Sequence, residues 1–194
     1  HTVGPALQGV EVKIAADGEI LVRGELIMEG YWKLPNETAE TIRDGWLHTG
    51  DIGILDEDGF IQITDRKKDI IVNSGGDNIS PARVEGMLTA EPEIEQAMVQ
   101  GDRRPHLVGL IVPSQDFADR WAKENDTSAD LETLVDNAEF SAEMNKVVDR
   151  VNESLSVIER VRRAILVAES FSIENKMMTP TLKLRRHIIG ARYG

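Results

Sequence analysis

The chain has 194 residues, 41% of them hydrophobic and 29% charged, with a formal net charge of −12 and no cysteine. Such a chain can bury a real core as one domain or two small ones, while a disulfide framework and thiolate metal sites are excluded. No run approaches the ~18 apolar residues of a membrane span, and the opening HTVGPALQGVEVKI does not read as a basic-then-apolar signal.

The charge is unevenly spread. Residues 68–159 carry 8 Lys+Arg against 19 Asp+Glu, whereas residues 160–194 carry 8 against 2. An acidic protein with a short basic tail will not coat nucleic acid broadly, so nucleic acid is not an expected partner; the tail can meet phosphates locally or solvate a last helix.

In chain order, VEVKI (10–14) alternates, Asp17-Gly18 supplies positive-φ turn residues, and EILVRG follows, which predicts a hairpin. NETAETIRDG (36–45) predicts a short helix closed by glycine. GILDEDGFIQITD predicts a second hairpin turning through Asp56–Gly59, with Ile61 and Ile63 on one side and Gln62 and Thr64 on the other. Beyond the cation triplet Arg66-Lys67-Lys68, DIIVNS predicts a strand, and Ser80-Pro81 marks a helix start, with a hydroxyl cap and a proline in the first turn. IEQAMVQG and HLVGLIVPS predict two further strands, and QDFADRWAKEN a helix. Over 138–158, Phe140, Met144, Val147, Val148, Val151, Leu155 and Ile158 recur at three and four, which predicts a long helix with one apolar stripe. AILVA predicts a late strand and LRRHIIGARY a final short helix.

The break in pattern at 65–69 divides a β-rich part, 1–67, from an α+β part, 68–194, with roughly three strands packed by helices. Two hairpins and one short helix make a poor independent core. Residues 1–67 are therefore expected to be the C-terminal end of a larger domain.

Three stretches can carry chemistry. In GWLHTGDIG, Asp51 sits between two glycines, Gly50 and Gly53, at a strand end, where a carboxylate can accept two hydrogen bonds from a ribose diol; taken alone it is more commonly a turn aspartate. Arg66 offers a planar fork of donors to ribose or phosphate oxygens. In TPTLKLRR, Lys183 follows a proline-bounded loop, and an ammonium there suits neutralisation of a phosphate oxygen and a carboxylate together; on its own it reads as a surface lysine. His106 and His187 lack companions at ligand spacing, so no metal site is expected from protein ligands.

Together and in this order, GEILVRGELIMEGYWKLPNETAE leading to Thr49-Gly50-Asp51, then DRKKDIIVNSGGDNISPARVE, then MMTPTLKLRR resemble the adenylate-forming superfamily. That superfamily comprises acyl-CoA synthetases, luciferases of fireflies and the adenylation domains of peptide synthetases. FSIENKMMTPTLKLRRHII, Leu182 in place of the glycine usual in peptide synthetases, and the helical insertion at roughly 116–156 are most similar to long-chain fatty acid–CoA ligases. The resemblance implies a ligase using ATP, Mg2+ and CoA: a fatty acid attacks the α-phosphate of ATP to give acyl-adenylate and pyrophosphate, and the CoA thiol then displaces AMP. It implies that Asp51 and Arg66 hold the ribose, that Lys183 bridges carboxylate and α-phosphate during adenylation, and that Lys68 is the hinge about which a small mobile C-terminal domain turns. It implies further that Gly75 and Gly76 let backbone approach the pantetheine arm of CoA. One of the pair at least serves as a plain positive-φ turn. Glu85 is expected to be structural, and His48 to lie near the nucleotide.

The family's Ser/Thr/Gly-rich phosphate loop, its adenine-binding segment and its magnesium-holding glutamate have no counterpart among these residues. The expectation is a C-terminal fragment, inactive alone, of a cytoplasmic ligase for which peripheral membrane contact stays open. Alternatives are a non-catalytic interaction module of the same fold, and an adenylation domain of an aryl-CoA ligase or peptide synthetase.

Overall fold

The structure is a computed structural model describing residues 2–193. It divides into two compact units, His1–Ile70 and Ile71–Gly194, a division three residues beyond the boundary expected from the sequence.

The first unit is one antiparallel sheet. Its strands are β1 (Gly4–Pro5), β2 (Val10–Ile14), β3 (Glu19–Gly24), β4 (Ile42–Arg43), β5 (Trp46–Leu55) and β6 (Phe60–Arg66), in the order β1-β6-β5-β3-β2 with β4 also on β5. The two expected hairpins are present and are joined through β3 and β5. The Asp56 carboxylate caps the second turn by accepting from the backbone N–H of Asp58 and Phe60 at 3.0 and 2.8 Å. Between Ile52 and Gly53 the register slips by one, so Ile52 faces Asp65 and Gly53 faces Ile63. A side chain at Gly53 would collide with the Gln62 carbonyl and Ile20, so this close approach needs glycine. The expected helix over 36–45 is shorter: α1 spans Pro35–Thr41. Asp44 and Gly45 both take positive φ, 52° and 77°, and this primed-type turn pulls Ile42 and Arg43 into pairing with Leu47 and Trp46 instead. Gly45 closes a hairpin, not a helix. Among the described residues only Ile20 and Leu21 are fully buried apolar side chains in this unit.

The second unit is α+β. It comprises β7 (Ile71–Val72), β8 (Asn78–Ile79), α2 (Pro81–Leu88), β9 (Ile94–Gln100), β10 (Leu107–Pro113), α3 (Gln115–Glu124), α4 (Leu131–Leu134), α5 (Ala138–Glu153), β11 (Val161–Leu166) and α6 (Arg186–Tyr193). A three-stranded sheet runs β11-β10-β9, with β10 antiparallel to β9 and parallel to β11. Both faces are covered, which is why β10 reads as an almost unbroken apolar run. Ala97, Val99 and Ile111 pack with the stripe of α5 and with Val84 and Leu88 of α2. Met98, Leu110 and Val112 pack on the opposite face against Phe171, Met177 and Ile189.

The Asn137 side chain caps α5 by accepting from the N–H of Glu139 and Phe140. The helix ends at Glu153, five residues short of the expected limit: Asn152 turns its amide to Val161, donating to its carbonyl and accepting from its N–H at 2.9 Å each. Leu155 is buried beyond the helix end, while Ile158 is 40% exposed. β11 begins three residues before the expected AILVA. DIIVNS is a strand only at Ile71–Val72, paired with Asn78–Ile79. No helix among the described residues is long and apolar enough to cross a membrane.

Candidate functional site

In the first unit the β5–β6 register sets Asp51 opposite Arg66, and Arg66 Nε lies 2.7 Å from Asp51 Oδ1 in an ion pair. The carboxylate is 22% exposed and the guanidinium 52%. Asp51 Oδ2 and the terminal guanidinium nitrogens are thus left to meet a polar ligand from solvent. A ribose diol, two donors that also accept, suits this pair. Gly50, at φ 71°, gives the turn that presents Asp51. Thr49 fixes the turn twice: its hydroxyl donates to the Ile20 carbonyl at 2.7 Å and accepts from the Asp51 N–H at 3.1 Å.

Beneath it lies a residue that the sequence reading missed. Glu19 is buried, and its carboxylate accepts from the Gly50 N–H and from Lys67 Nζ, each at 2.9 Å. His48 Nδ1 lies 2.9 Å from the same carboxylate, so its ring faces Glu19. Lys67 also reaches Asp17 at 2.6 Å. Burial works to raise the Glu19 pKa, but the bonds from His48, Lys67 and the Gly50 N–H outweigh it and hold the group below its ordinary 4.5. Lys67, paired first with Asp17 and then with Glu19, is held above its ordinary 10.5. The signal was a lone acid heading an apolar strand, but its partners stand 29, 31 and 48 residues away. Lys68 lies in the single 3-10 turn Lys67–Asp69 that follows.

In the second unit, Gly75 and Gly76 occupy the turn between β7 and β8. Asn73 organises it: its side-chain oxygen accepts from the N–H of Gly75 and Asp77 at 2.8 and 2.9 Å. Gly76 has φ 86° and open space where a Cβ would stand, whereas a Cβ on Gly75 would press on Asn73 and Asp77 side-chain oxygens. Gly76 is thus the turn glycine, and Gly75 the one whose missing side chain leaves room. The loop is stitched to residues 101–104 through Ser74 N–H to Arg104 O and Arg103 N–H to Val72 O.

Lys183 sits on a tight loop whose backbone is held on both sides. Met178 bridges Leu184, and Thr179 N–H donates to the Lys183 carbonyl at 2.9 Å. The Thr179 hydroxyl accepts from the Lys183 N–H at 3.1 Å. Leu182, just before the lysine, takes φ 58°, a left-handed conformation at a residue that carries a side chain. The Lys183 side chain is exposed and makes no ion pair among the described residues. Glu85, expected to be structural, binds Arg186 through both carboxylate oxygens at 2.6 Å.

The described residues hold no group of three or more His, Asp or Glu side chains able to cage a metal ion.

Residues 68–193 match the family described as the AMP-binding enzyme C-terminal domain. Among curated proteins, the chain is 38% identical to a long-chain-fatty-acid–CoA ligase from Mycobacterium tuberculosis, an alignment covering 99% of this chain and 32% of that protein. Among solved structures it resembles an amide bond synthetase from Marinactinospora thermotolerans, at TM-score 0.69 and 29% identity, covering 100% of this chain and 36% of the other. It shares its fold with the adenylation domain of a carboxylate reductase from Mycobacterium chelonae, at TM-score 0.77 and 20% identity, covering 98% and 30%. The chain spans about a third of the length of the curated relatives it matches.

Proposed function

The chain belongs to the AMP-binding enzyme C-terminal domain family, and from that premise we propose that it forms the C-terminal part of an ATP-dependent long-chain fatty acid–CoA ligase. The reaction is fatty acid, ATP and CoA to acyl-CoA, AMP and pyrophosphate, through an acyl-adenylate. The likeness to a long-chain ligase over the whole chain supports the substrate class. The observation that carries the nucleotide reading is the Asp51–Arg66 pair, held by strand register with one carboxylate oxygen left for a ribose diol.

In this reading Asp51 and Arg66 grip the ribose of ATP and then of AMP. Lys183, an ammonium without an ion pair among the described residues, on a backbone held at both ends, meets the negative charge that builds between carboxylate and α-phosphate as the acyl–oxygen bond to phosphorus forms and pyrophosphate leaves. Lys68 is the hinge, a position at the end of an element where a few backbone angles can change. The Gly75–Gly76 turn serves the second half-reaction, in which the CoA thiol displaces AMP. Mg2+ belongs to the ATP substrate, and its protein ligands lie outside these residues. A cytoplasmic setting with access to the membrane surface suits a ligase of long-chain acids.

The test is Lys183→Ala in the ligase carrying this chain, with the two half-reactions measured apart. Losing about 2.7–4 kcal/mol of transition-state stabilisation, the scale of one lost oxyanion donor, slows fatty-acid-dependent pyrophosphate release by ~10²–10³. Thioester formation from supplied acyl-adenylate stays near wild type. An equal fall in both half-reactions overturns the assigned role.

A further inference from the structure

The sheet of the second unit ends at β9, an edge strand whose outward backbone groups need partners. At Val99 two side chains supply them. Glu85 Oε1 accepts from the Val99 N–H at 2.8 Å, and Arg186 Nη1 lies 3.4 Å from the Val99 carbonyl. The same two side chains then bind each other in a bidentate pair, Nη1–Oε1 and Nη2–Oε2, both 2.6 Å. Glu85 comes from α2, on one face of the sheet, and Arg186 opens α6, packed on the other. The pair therefore wraps the open edge of β9 and ties together the layers on the two faces of the sheet. Its side chains are only 28% and 11% exposed, so it is weakly screened and geometrically strict.

Arg186 is three residues after Lys183, and the chain between them is already restrained by the Met178–Leu184 bridge and by Arg185 N–H donating to the Met177 carbonyl. A displacement of Arg186 has few ways to relax other than by moving this loop.

We propose that Glu85 and Arg186 are positioning residues for adenylation: the ion pair around the β9 edge sets where the Lys183 ammonium stands. The inference rests on the role given to Lys183 above. Neither side chain touches the reacting atoms; their effect passes through the loop. Because a misplacement of ~1 Å costs ~10²-fold in a well-aligned reaction, loss of the pair should cost about 10–100-fold in adenylation.

The experiment uses the intact ligase with Arg186→Met, Arg186→Lys, Glu85→Gln and, as reference, Lys183→Ala. Pyrophosphate release, thioester formation from supplied acyl-adenylate and thermal midpoints are measured for each. The expected result for Arg186→Met is a kcat for pyrophosphate release down about 10–100-fold, KM for ATP little changed, and thioester formation retained. Arg186→Lys, keeping charge without the fork, falls between; if the methionine variant does not fold, the lysine and Glu85→Gln variants are read by the same criteria. Equal losses in both half-reactions, or losses that track the thermal midpoint alone, reduce the pair to a structural staple and overturn the inference. Retained pyrophosphate release in Arg186→Met beside a dead Lys183→Ala overturns this inference alone. Retained release in Lys183→Ala overturns the role of Lys183 and this inference with it.

Discussion

Glu19 shows how one buried carboxylate organises a site from below. It gathers the Gly50 N–H, the His48 ring and the Lys67 ammonium, so a single acid holds both the turn that presents Asp51 and the residue before the proposed hinge. Its pKa is depressed in the folded chain, so the stability it contributes is fully present above the unfolded value of about 4.5 and is lost as pH falls through the folded value. Glu19→Gln should cost about 1–3 kcal/mol at neutral pH, the scale of a buried bond left imperfectly made. The gap between the variant and the parent should narrow as pH falls from about 4.5 through the folded value. Urea titrations of both proteins at pH 7 and at successive values below 4.5 check this, and a difference that stays constant down to acid unfolding rules out the hub. Leu182 is a second residue-scale case. Its φ of 58° costs a side-chain-bearing residue about 1–2 kcal/mol, while glycine there gains back flexibility of ~0.5–1 kcal/mol in the unfolded chain. Leu182→Gly should therefore leave stability unchanged or raise it by up to about 1.5 kcal/mol, while the β-branched Leu182→Val should destabilise clearly. Thermal midpoints of the two variants decide it.

At the scale of elements, the sequence is legible wherever the cause is local. Ser80 caps α2 by accepting from the Arg83 N–H, the Asp17-Gly18 turn closes its hairpin with Gly18 at φ 84°, and the apolar stripe of α5 is buried as its spacing foretold. What escaped were elements cut short by side chains reaching back to the main chain. Asn73 ends β7 by taking two N–H groups for itself, Asn152 ends α5 to hold Val161, and the Asp44-Gly45 turn removes Ile42 and Arg43 from α1. Asn, Asp and Gly compete in this way with either regular structure, and periodicity alone does not say which side wins. The site divides along the same line. Asp51, Arg66 and Lys183 stood out by type and setting, whereas Glu19 and Arg186 are bound to partners 31 and 101 residues distant. The β7–β8 turn separates the two glycines by experiment. Gly76→Ala forces a side chain to φ 86° and should destabilise by about 1–2 kcal/mol. Gly75→Ala puts a methyl against movable side-chain oxygens and should cost less stability, yet depress thioester formation while sparing pyrophosphate release. Thermal melts and half-reaction rates on both variants test the assignment; loss of pyrophosphate release in Gly75→Ala excludes a role confined to the CoA step.

For the whole molecule, the contrast between the two units governs how the chain should behave. The second unit buries an apolar cluster on each face of its sheet, with Phe140, Met144, Leu107 and Ile111 on one and Phe171 and Met177 on the other. The first buries Ile20 and Leu21 among its described residues and leaves Leu26, Trp32, Ile54 and Ile63 at 68%, 86%, 53% and 48% exposure. Each buried aliphatic or aromatic side chain contributes about 1.5–3 kcal/mol, against a backbone ordering cost of ~1–2 kcal/mol per residue. Two such side chains cannot hold a sheet drawn from 70 residues, whereas the second unit meets the usual condition for a self-sufficient core. Residues 71–194 produced alone should therefore melt cooperatively, at a midpoint close to that of the same unit within the 194-residue chain. Residues 1–70 produced alone should show no cooperative transition and should exchange their amide hydrogens without protection. The two spans, prepared separately and followed by circular dichroism and hydrogen exchange, make the comparison. A cooperative transition in 1–70 would mean that its sheet is stabilised by something other than apolar burial. The hub around Glu19 would then be the first place to look, and Glu19→Leu in the isolated span, keeping bulk but removing every acceptor, would show whether that polar cluster holds the sheet.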